Sequence, residues 1–201
     1  MARVMCRESS LYHNRNKQTM LTMMCSVLEA GREGSIDTYI VCPSVTYGGA
    51  SINSSTIGIG YNLIISNAKS VGYVPYVGEG TAVVSTAHIL DVVPFIVKIA
   101  ETAAAGPAEG TAESRFYMLE TARVQWKDLA AELAKVMHGK GIFEYEEAKA
   151  VVIEDAGKTE VKYLVAANML IQGDRAKRMG FKAEHPSILQ EVHADLKDAA
   201  L

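Results

Sequence analysis

Apolar residues recur at helical spacing in several stretches of the chain, and three of these predict the main helices. The first covers residues 16–31 and stops at a glycine. The second covers 91–105, with Asp91 as a suitable N-terminal cap. The third, 126–138, has the clearest amphipathic pattern. Further helices are predicted over 61–70, 161–170, 174–179 and 186–199.

Continuously apolar runs predict the strands. Residues 38–42 end at Pro43 and are typical of a strand buried on both faces. Runs at 73–77 and 82–85 flank the Gly78-Glu79-Gly80 turn and predict a hairpin, and 115–119 predicts another strand. Residues 44–60, with four glycines, predict a long binding loop. A helix followed by a buried strand predicts an α/β fold.

Composition narrows the function classes. The 201 residues, 49% hydrophobic and 21% charged, suit a single globular domain spanning 1–201. A net charge of -3 with dispersed Lys and Arg argues against nucleic acid and membrane partners. The apolar run 20–28 lacks a signal-peptide cleavage site, and no stretch approaches the ~20 apolar residues of a membrane-spanning helix.

Cysteine and histidine spacing predicts neither a disulfide framework nor a metal site. Cys6, Cys25 and Cys42 are odd in number and form no CxxC pair, which favours reduced thiols and a cytoplasmic location. No paired metal-ligand spacing occurs among the histidines, which are His13, His88, His138, His185 and His193.

Three segments resemble one enzyme family in the same order. They are TYIVCPSVTYG at 38–48, YVPYVGEGTAVVSTAHILDVV at 73–93 and GDRAKRMGFKAEHPSILQEV at 173–192. All three resemble the C-terminal half of extended short-chain dehydrogenases/reductases (SDRs), closest to atypical members widespread in fungi. The resemblance implies a truncated SDR-like (partial Rossmann) sheet flanked by helices, plus the small C-terminal substrate-binding part.

Other positions depart from the family pattern. The sequence has no GxxGxxG turn to hold a dinucleotide pyrophosphate, and Asn16 and Met20 occupy the positions of the family's YxxxK dyad. Tyr12 and Lys17 are nearby, but their spacing puts them on different helix faces. Cys42 stands where the family often has an arginine. These departures predict a chain without a redox cofactor.

The function that follows is a cofactor-independent cyclase or isomerase acting on a hydrophobic small molecule, such as a Diels-Alder-type pericyclase of secondary metabolism. Ser44, Tyr47 and Tyr61 are candidate hydrogen-bond donors to a substrate carbonyl, and His88 with Asp91 is a candidate acid/base pair. Structural roles remain open: Tyr47 as a packed ring, Asp91 as a helix cap, and His88 as a satisfied core histidine.

Loss of half of a parallel sheet would uncover the strand that begins at Thr38, so we expect a homodimer that covers this face. Two competing functions remain. One is a non-catalytic partner subunit, and the other is a fragment of an NAD(P)-dependent epimerase or reductase.

Overall fold

The computed structural model describes residues 15–49, 58–107, 109–199 and 201, so Cys6, Tyr12 and His13 lie outside the described residues. The helices are α1 (Arg15–Arg32), α2 (Ile59–Val71), α3 (Ile89–Ala104), α4 (Trp126–Gly139), α5 (Thr159–Ala166), α6 (Asp174–Arg178) and α7 (Ile188–Asp195). The strands are β1 (Ile40–Pro43), β2 (Val45–Tyr47), β3 (Pro75–Val77), β4 (Val83–His88), β5 (Phe116–Leu119), β6 (Ala122–Gln125) and β7 (Lys149–Val151).

Three small sheets form the β layer. β1 pairs with β5 and β3 with β7, in both cases in parallel. β4 lies between β2, its parallel neighbour, and β6, its antiparallel neighbour. Helices flank these sheets, which confirms the predicted α/β fold class.

The predicted helices are present, with shifts at several ends. α3 begins two residues before Asp91, because β4 runs directly into it and the His88 imidazole accepts the Leu90 N–H as the cap. The prediction of Asp91 as the N-terminal cap is therefore wrong. α5 ends at Ala166, because the following backbone bridges to β4, where Met169 exchanges hydrogen bonds with Val83 and Ser85.

The C-terminal helix is shorter than predicted. α7 begins at Ile188, after a capping box formed by Ser187 and Gln190, and ends at Asp195. Pro186, predicted as the first helical residue, instead precedes the helix, and its carbonyl accepts a side-chain hydrogen bond.

Strand pairing differs from the sequence prediction. β3 and β4 do not form a hairpin around Gly78, because β3 pairs with β7 and β4 with β2 and β6.

The predicted loop at 44–60 contains β2 and the start of α2, and its residues 50–57 lie outside the described residues. β6 and β7 were not predicted. β1 is half-exposed along its length rather than buried on both faces.

Two apolar clusters form the core. The larger one surrounds α4, whose buried face includes Trp126, Leu129, Leu133 and Met137. The smaller one packs α3 onto β5 through Phe95, whose ring contacts Tyr117 and Phe181 edge-on.

The cysteines do not all match the prediction of reduced thiols. Cys42, at the end of β1, is a free, half-buried thiol whose pKa burial raises. Cys25 on α1 is disulfide-bonded, so the prediction is wrong for this residue.

The substitution Leu133→Ala tests the dependence of the fold on α4. Leu133 is fully buried, so we expect the free energy of unfolding to fall by about 2–5 kcal/mol through lost transfer energy and a residual cavity. Urea denaturation measures this loss. Lys135→Ala, which removes only an exposed ion pair with Glu132 on the same helix, should cost at most about 1 kcal/mol. Equal effects of the two changes would contradict this description of the core.

Candidate functional site

A cavity of about 470 Å³ opens between β2, α2 and α4. Most of its described lining is apolar, including Val45, Leu63, Ile64, Val84, Trp126 and Leu129. The described residues around it include no carboxylate, ammonium, guanidinium or imidazole group. A volume of this size suits an apolar small molecule.

Ser44 is one of the few polar residues that line the cavity. Its backbone N–H donates to the Leu119 carbonyl at 2.9 Å, which holds the residue between β1 and β2. Its hydroxyl oxygen is buried and has no hydrogen-bond partner. A buried hydroxyl without a partner costs free energy, which a ligand that accepts its hydrogen bond would recover.

Tyr47 lines the cavity, but its hydroxyl is already engaged. The phenol donates to the Pro186 carbonyl at 2.7 Å, and the ring meets the His88 ring edge-on, with 5.1 Å between the centroids. Burial raises the pKa of this phenol, which keeps it protonated. The predicted donor to substrate is thus bonded to the protein, and its ring forms part of the wall.

His88 is the last residue of β4 and lies opposite Tyr47 in the parallel register. It is 1% exposed, and its Nδ1 accepts the Leu90 N–H at 3.2 Å. Burial, followed by the neighbouring His185, lowers the pKa of His88 and favours the neutral imidazole. His88 lies outside the described cavity lining.

Gly48 lies directly against the His88 ring, where no larger residue would fit. Its φ of 86° lies in the left-handed region, and a Cβ at this position would stand 2.4 Å from His88 Nε2. Only glycine satisfies both conditions, so the ends of β2 and β4 are fixed against each other.

Asp91 pairs with His185 rather than with His88. Its Oδ1 lies 2.6 Å from His185 Nδ1 and also accepts the Glu184 N–H, while its Oδ2 is buried without a partner. The His185 ring stacks on His88 with 4.6 Å between centroids. Sequence reasoning missed His185, because no local signal links residues that are 94 positions apart.

Tyr61 is buried and lies outside the described cavity lining. Its hydroxyl donates to Asp195 Oδ2 at 3.3 Å, and the Gly48 N–H donates to the same oxygen at 2.8 Å. Burial, followed by the Asp195 charge, raises the Tyr61 pKa far above its usual value. Asp195 was also missed, since it lies in a helix that the sequence predicts without marking this position.

The structure therefore divides the predicted site into two groups. Ser44 and Tyr47 line the cavity, whereas Tyr61, His88 and Asp91 belong to a buried polar network behind it. Tyr47 contacts both groups. Among the described residues, no cluster of three or more His, Cys, Asp or Glu side chains is arranged to hold a metal ion.

Comparison with known proteins identifies solved structures with a similar fold. No family model matches the sequence, and no curated protein matches it significantly. A solved structure of dTDP-glucose 4,6-dehydratase from Bacillus anthracis str. Ames, in complex with NAD, is similar at TM-score 0.55 and 11% identity, covering 90% of this chain and 50% of that chain. DesIV, a dTDP-glucose 4,6-dehydratase from Streptomyces venezuelae with NAD and TYD bound, is similar at TM-score 0.54 and 15% identity, covering 87% and 47%.

These similarities support a Rossmann-like α/β fold, as the resemblance in the sequence predicted. The chain spans about half the length of the solved structures that it matches. Sequence identities of 11% and 15% support a shared fold but do not transfer an activity. Any function must therefore be argued from the site itself. Within the part of the chain that the structure describes, no helix is both long and apolar enough to cross a bilayer.

The lowered pKa of His88 predicts how stability changes with pH. The folded state resists protonation of this imidazole, so its contribution is complete above the unfolded pKa of about 6.5 and is lost as pH falls toward the lower folded pKa. His88→Asn retains a capping side chain without the titration, so the decline between pH 7 and 5 should become shallower, by up to about 1.4 kcal/mol per pH unit.

Urea denaturation at several pH values measures this slope. The matched control is His138→Asn, which replaces an exposed histidine on α4 and should leave the slope unchanged. An unchanged slope in His88→Asn would show that the buried imidazole does not govern this pH dependence.

Proposed function

We propose that this chain binds a hydrophobic small molecule in the cavity between β2, α2 and α4 and promotes its cyclisation without a redox cofactor. The observation that carries the proposal is Ser44, a lining residue of a largely apolar cavity whose buried hydroxyl has no hydrogen-bond partner in the described structure. Such a donor can hydrogen-bond a substrate carbonyl while the surrounding apolar side chains hold the rest of the molecule in a folded shape.

The chemistry of the wall favours cyclisation over proton transfer. A general acid or base must come within hydrogen-bond reach of the substrate, and no described lining residue carries a free group of that kind. A pericyclic reaction of the Diels-Alder type requires no proton transfer and gains from confinement and from one hydrogen bond to an activating carbonyl. This supports the pericyclase form of the proposal.

The described cavity lacks the cationic side chains that would neutralise a dinucleotide pyrophosphate. Gly58 and Gly60 lie in its lining at the start of α2, but the lining includes neither Lys nor Arg. The sequence also contains no GxxGxxG turn. The proposed reaction therefore involves only the groups of this chain.

Ser44→Ala tests the catalytic proposal. With a linear polyene that carries an activating carbonyl as substrate, and with no added cofactor, we expect kcat for cyclised product to fall about 10-fold, the equivalent of one neutral hydrogen bond of about 1.4 kcal/mol. Product formation followed by chromatography measures the rate.

Two further variants make the test specific. Ser66→Ala removes an exposed hydroxyl from α2 and should leave the rate unchanged. Leu63→Trp adds bulk at a lining position and should weaken substrate binding. Equal rates for the wild type and Ser44→Ala would refute the role of Ser44, and the absence of cyclised product from a panel of such polyenes would refute the activity.

The second candidate is the substrate-binding part of an NAD(P)-dependent epimerase or reductase, or a non-catalytic subunit that pairs with one. The observation that favours it is the coverage of only 50% and 47% of two dehydratases whose structures contain NAD. A fluorescence titration of the chain with NADH and NADPH separates the candidates. Saturable 1:1 binding would support the second candidate and contradict the cofactor-free proposal.

A further inference from the structure

A small cavity lies between α3 and the chain that follows α6. Its volume is about 160 Å³, and α3 and the segment 180–184 supply its described lining. It shares no described lining residue with the larger cavity between β2, α2 and α4. One water takes up about 30 Å³ of liquid, so the space suits a small organic molecule better than a single water.

Asp91 is the most buried charged residue of this lining, with a side chain that is 2% exposed. Its Oδ1 accepts the Glu184 N–H at 3.2 Å and lies 2.6 Å from His185 Nδ1. Its Oδ2 is buried and has no hydrogen-bond partner in the described structure. An oxygen in this state costs free energy, because it has lost water without gaining a donor. A ligand with an N–H group would recover that cost.

Two lysines give the same cavity positive charge. Lys98 and Lys182 both line it, and neither forms an ion pair within the described part of the chain. The Lys98 ammonium lies close to Gly180, where an added Cβ would stand 3.0 Å from Nζ. The absence of a side chain at Gly180 therefore leaves room for the ammonium at the cavity wall. These two cations favour an anionic group on a ligand.

The opposite charges in one small cavity restrict what can bind there. The described lining includes the carboxylates of Asp91 and Glu184 and the ammonium groups of Lys98 and Lys182. A simple cation would meet two lysines, and a simple anion would meet a buried carboxylate, so each would experience repulsion at close range. A molecule that carries both an ammonium and a carboxylate complements both sets of charges.

Phe95 and Phe181 provide the apolar part of the lining. Both are buried, at 4% and 5% exposure, and their rings meet edge-on with 5.5 Å between the centroids. They belong to the smaller core cluster, which packs α3 onto β5. The cavity is therefore bounded by packed core, and its apolar wall suits an aliphatic group.

We propose that this cavity is a binding site for a small α-amino acid with an aliphatic side chain. The ammonium group of the ligand donates to Asp91 Oδ2, and its carboxylate pairs with Lys98 and Lys182. Its side chain lies against Phe95 and Phe181. The proposal does not depend on the proposed cyclisation, since the two cavities share no described lining residue.

Calorimetric titration of the full chain with L-alanine, L-valine and L-leucine tests the proposal. We expect saturable 1:1 binding of at least one of them. Isobutylamine, which is valine without the carboxylate, and isovalerate, which is valine without the ammonium, should each bind about 10-fold or more weakly than valine. Equal binding of either probe would overturn the zwitterionic ligand. No binding of any amino acid would overturn the site and leave the cavity to water.

Asp91→Asn tests the role of the buried carboxylate. The change preserves the size of the side chain and removes its charge, so binding of the amino acid should weaken about 10-fold or more. The matched control is His185→Gln, which replaces the imidazole at Asp91 Oδ1 but leaves Oδ2 in place, so it should retain binding. If both changes abolished binding equally, Asp91 would act only through its contact with His185, and the assignment would be wrong.

Lys98→Gln tests the other end of the ligand. Binding of the amino acid should weaken, whereas binding of isobutylamine should not, because only the amino acid carries a carboxylate. The matched control is Lys197→Gln, which removes an exposed lysine outside the cavity lining and should change neither. Thermal unfolding checks that all variants fold. Unchanged amino-acid binding in Lys98→Gln would overturn the proposed position of the carboxylate.

Discussion

A buried carboxylate near the C-terminus determines how the candidate site is assembled. Asp195 is 3% exposed, and an ion so deeply buried is tolerated only when donors surround it. The Gly48 N–H and the Tyr61 hydroxyl donate to it, one from the end of β2 and the other from α2. Because the His88 ring packs against Gly48, the same carboxylate indirectly fixes the start of α3.

This anchoring separates polar from apolar chemistry across β2. Behind the strand, Tyr61, His88 and Asp91 are buried and bonded to protein groups, so they are committed to structure. In front of it, the cavity wall is apolar and Ser44 retains a free hydroxyl. This separation is the physical basis of the proposed cyclisation, because the titratable groups are already bonded to the protein.

The smaller apolar cluster, around Phe95, is less completely covered by protein than the larger one around α4. Phe95, Tyr117 and Phe181 hold α3 against β5, which leaves the other face of the helix outward. β1, beside β5, is also half-exposed. The chain thus has a well-covered region around α4 and a partly covered one around α3 and β1.

The sequence by itself determined the helices and several strands, because their apolar periodicity and stop signals are local. It also predicted the α/β fold and placed five candidate residues in one site, of which only Ser44 and Tyr47 line the described cavity. Strand partners were decided by tertiary structure: β3 pairs with β7, a strand that the sequence did not reveal. The contacts of Asp91 with His185 and of Tyr61 with Asp195 join positions 94 and 134 residues apart, beyond the reach of any local pattern. Only the folded chain could show which predicted polar groups are bonded to the protein and which one, Ser44, is still free, because hydrogen bonding depends on neighbours brought together in space.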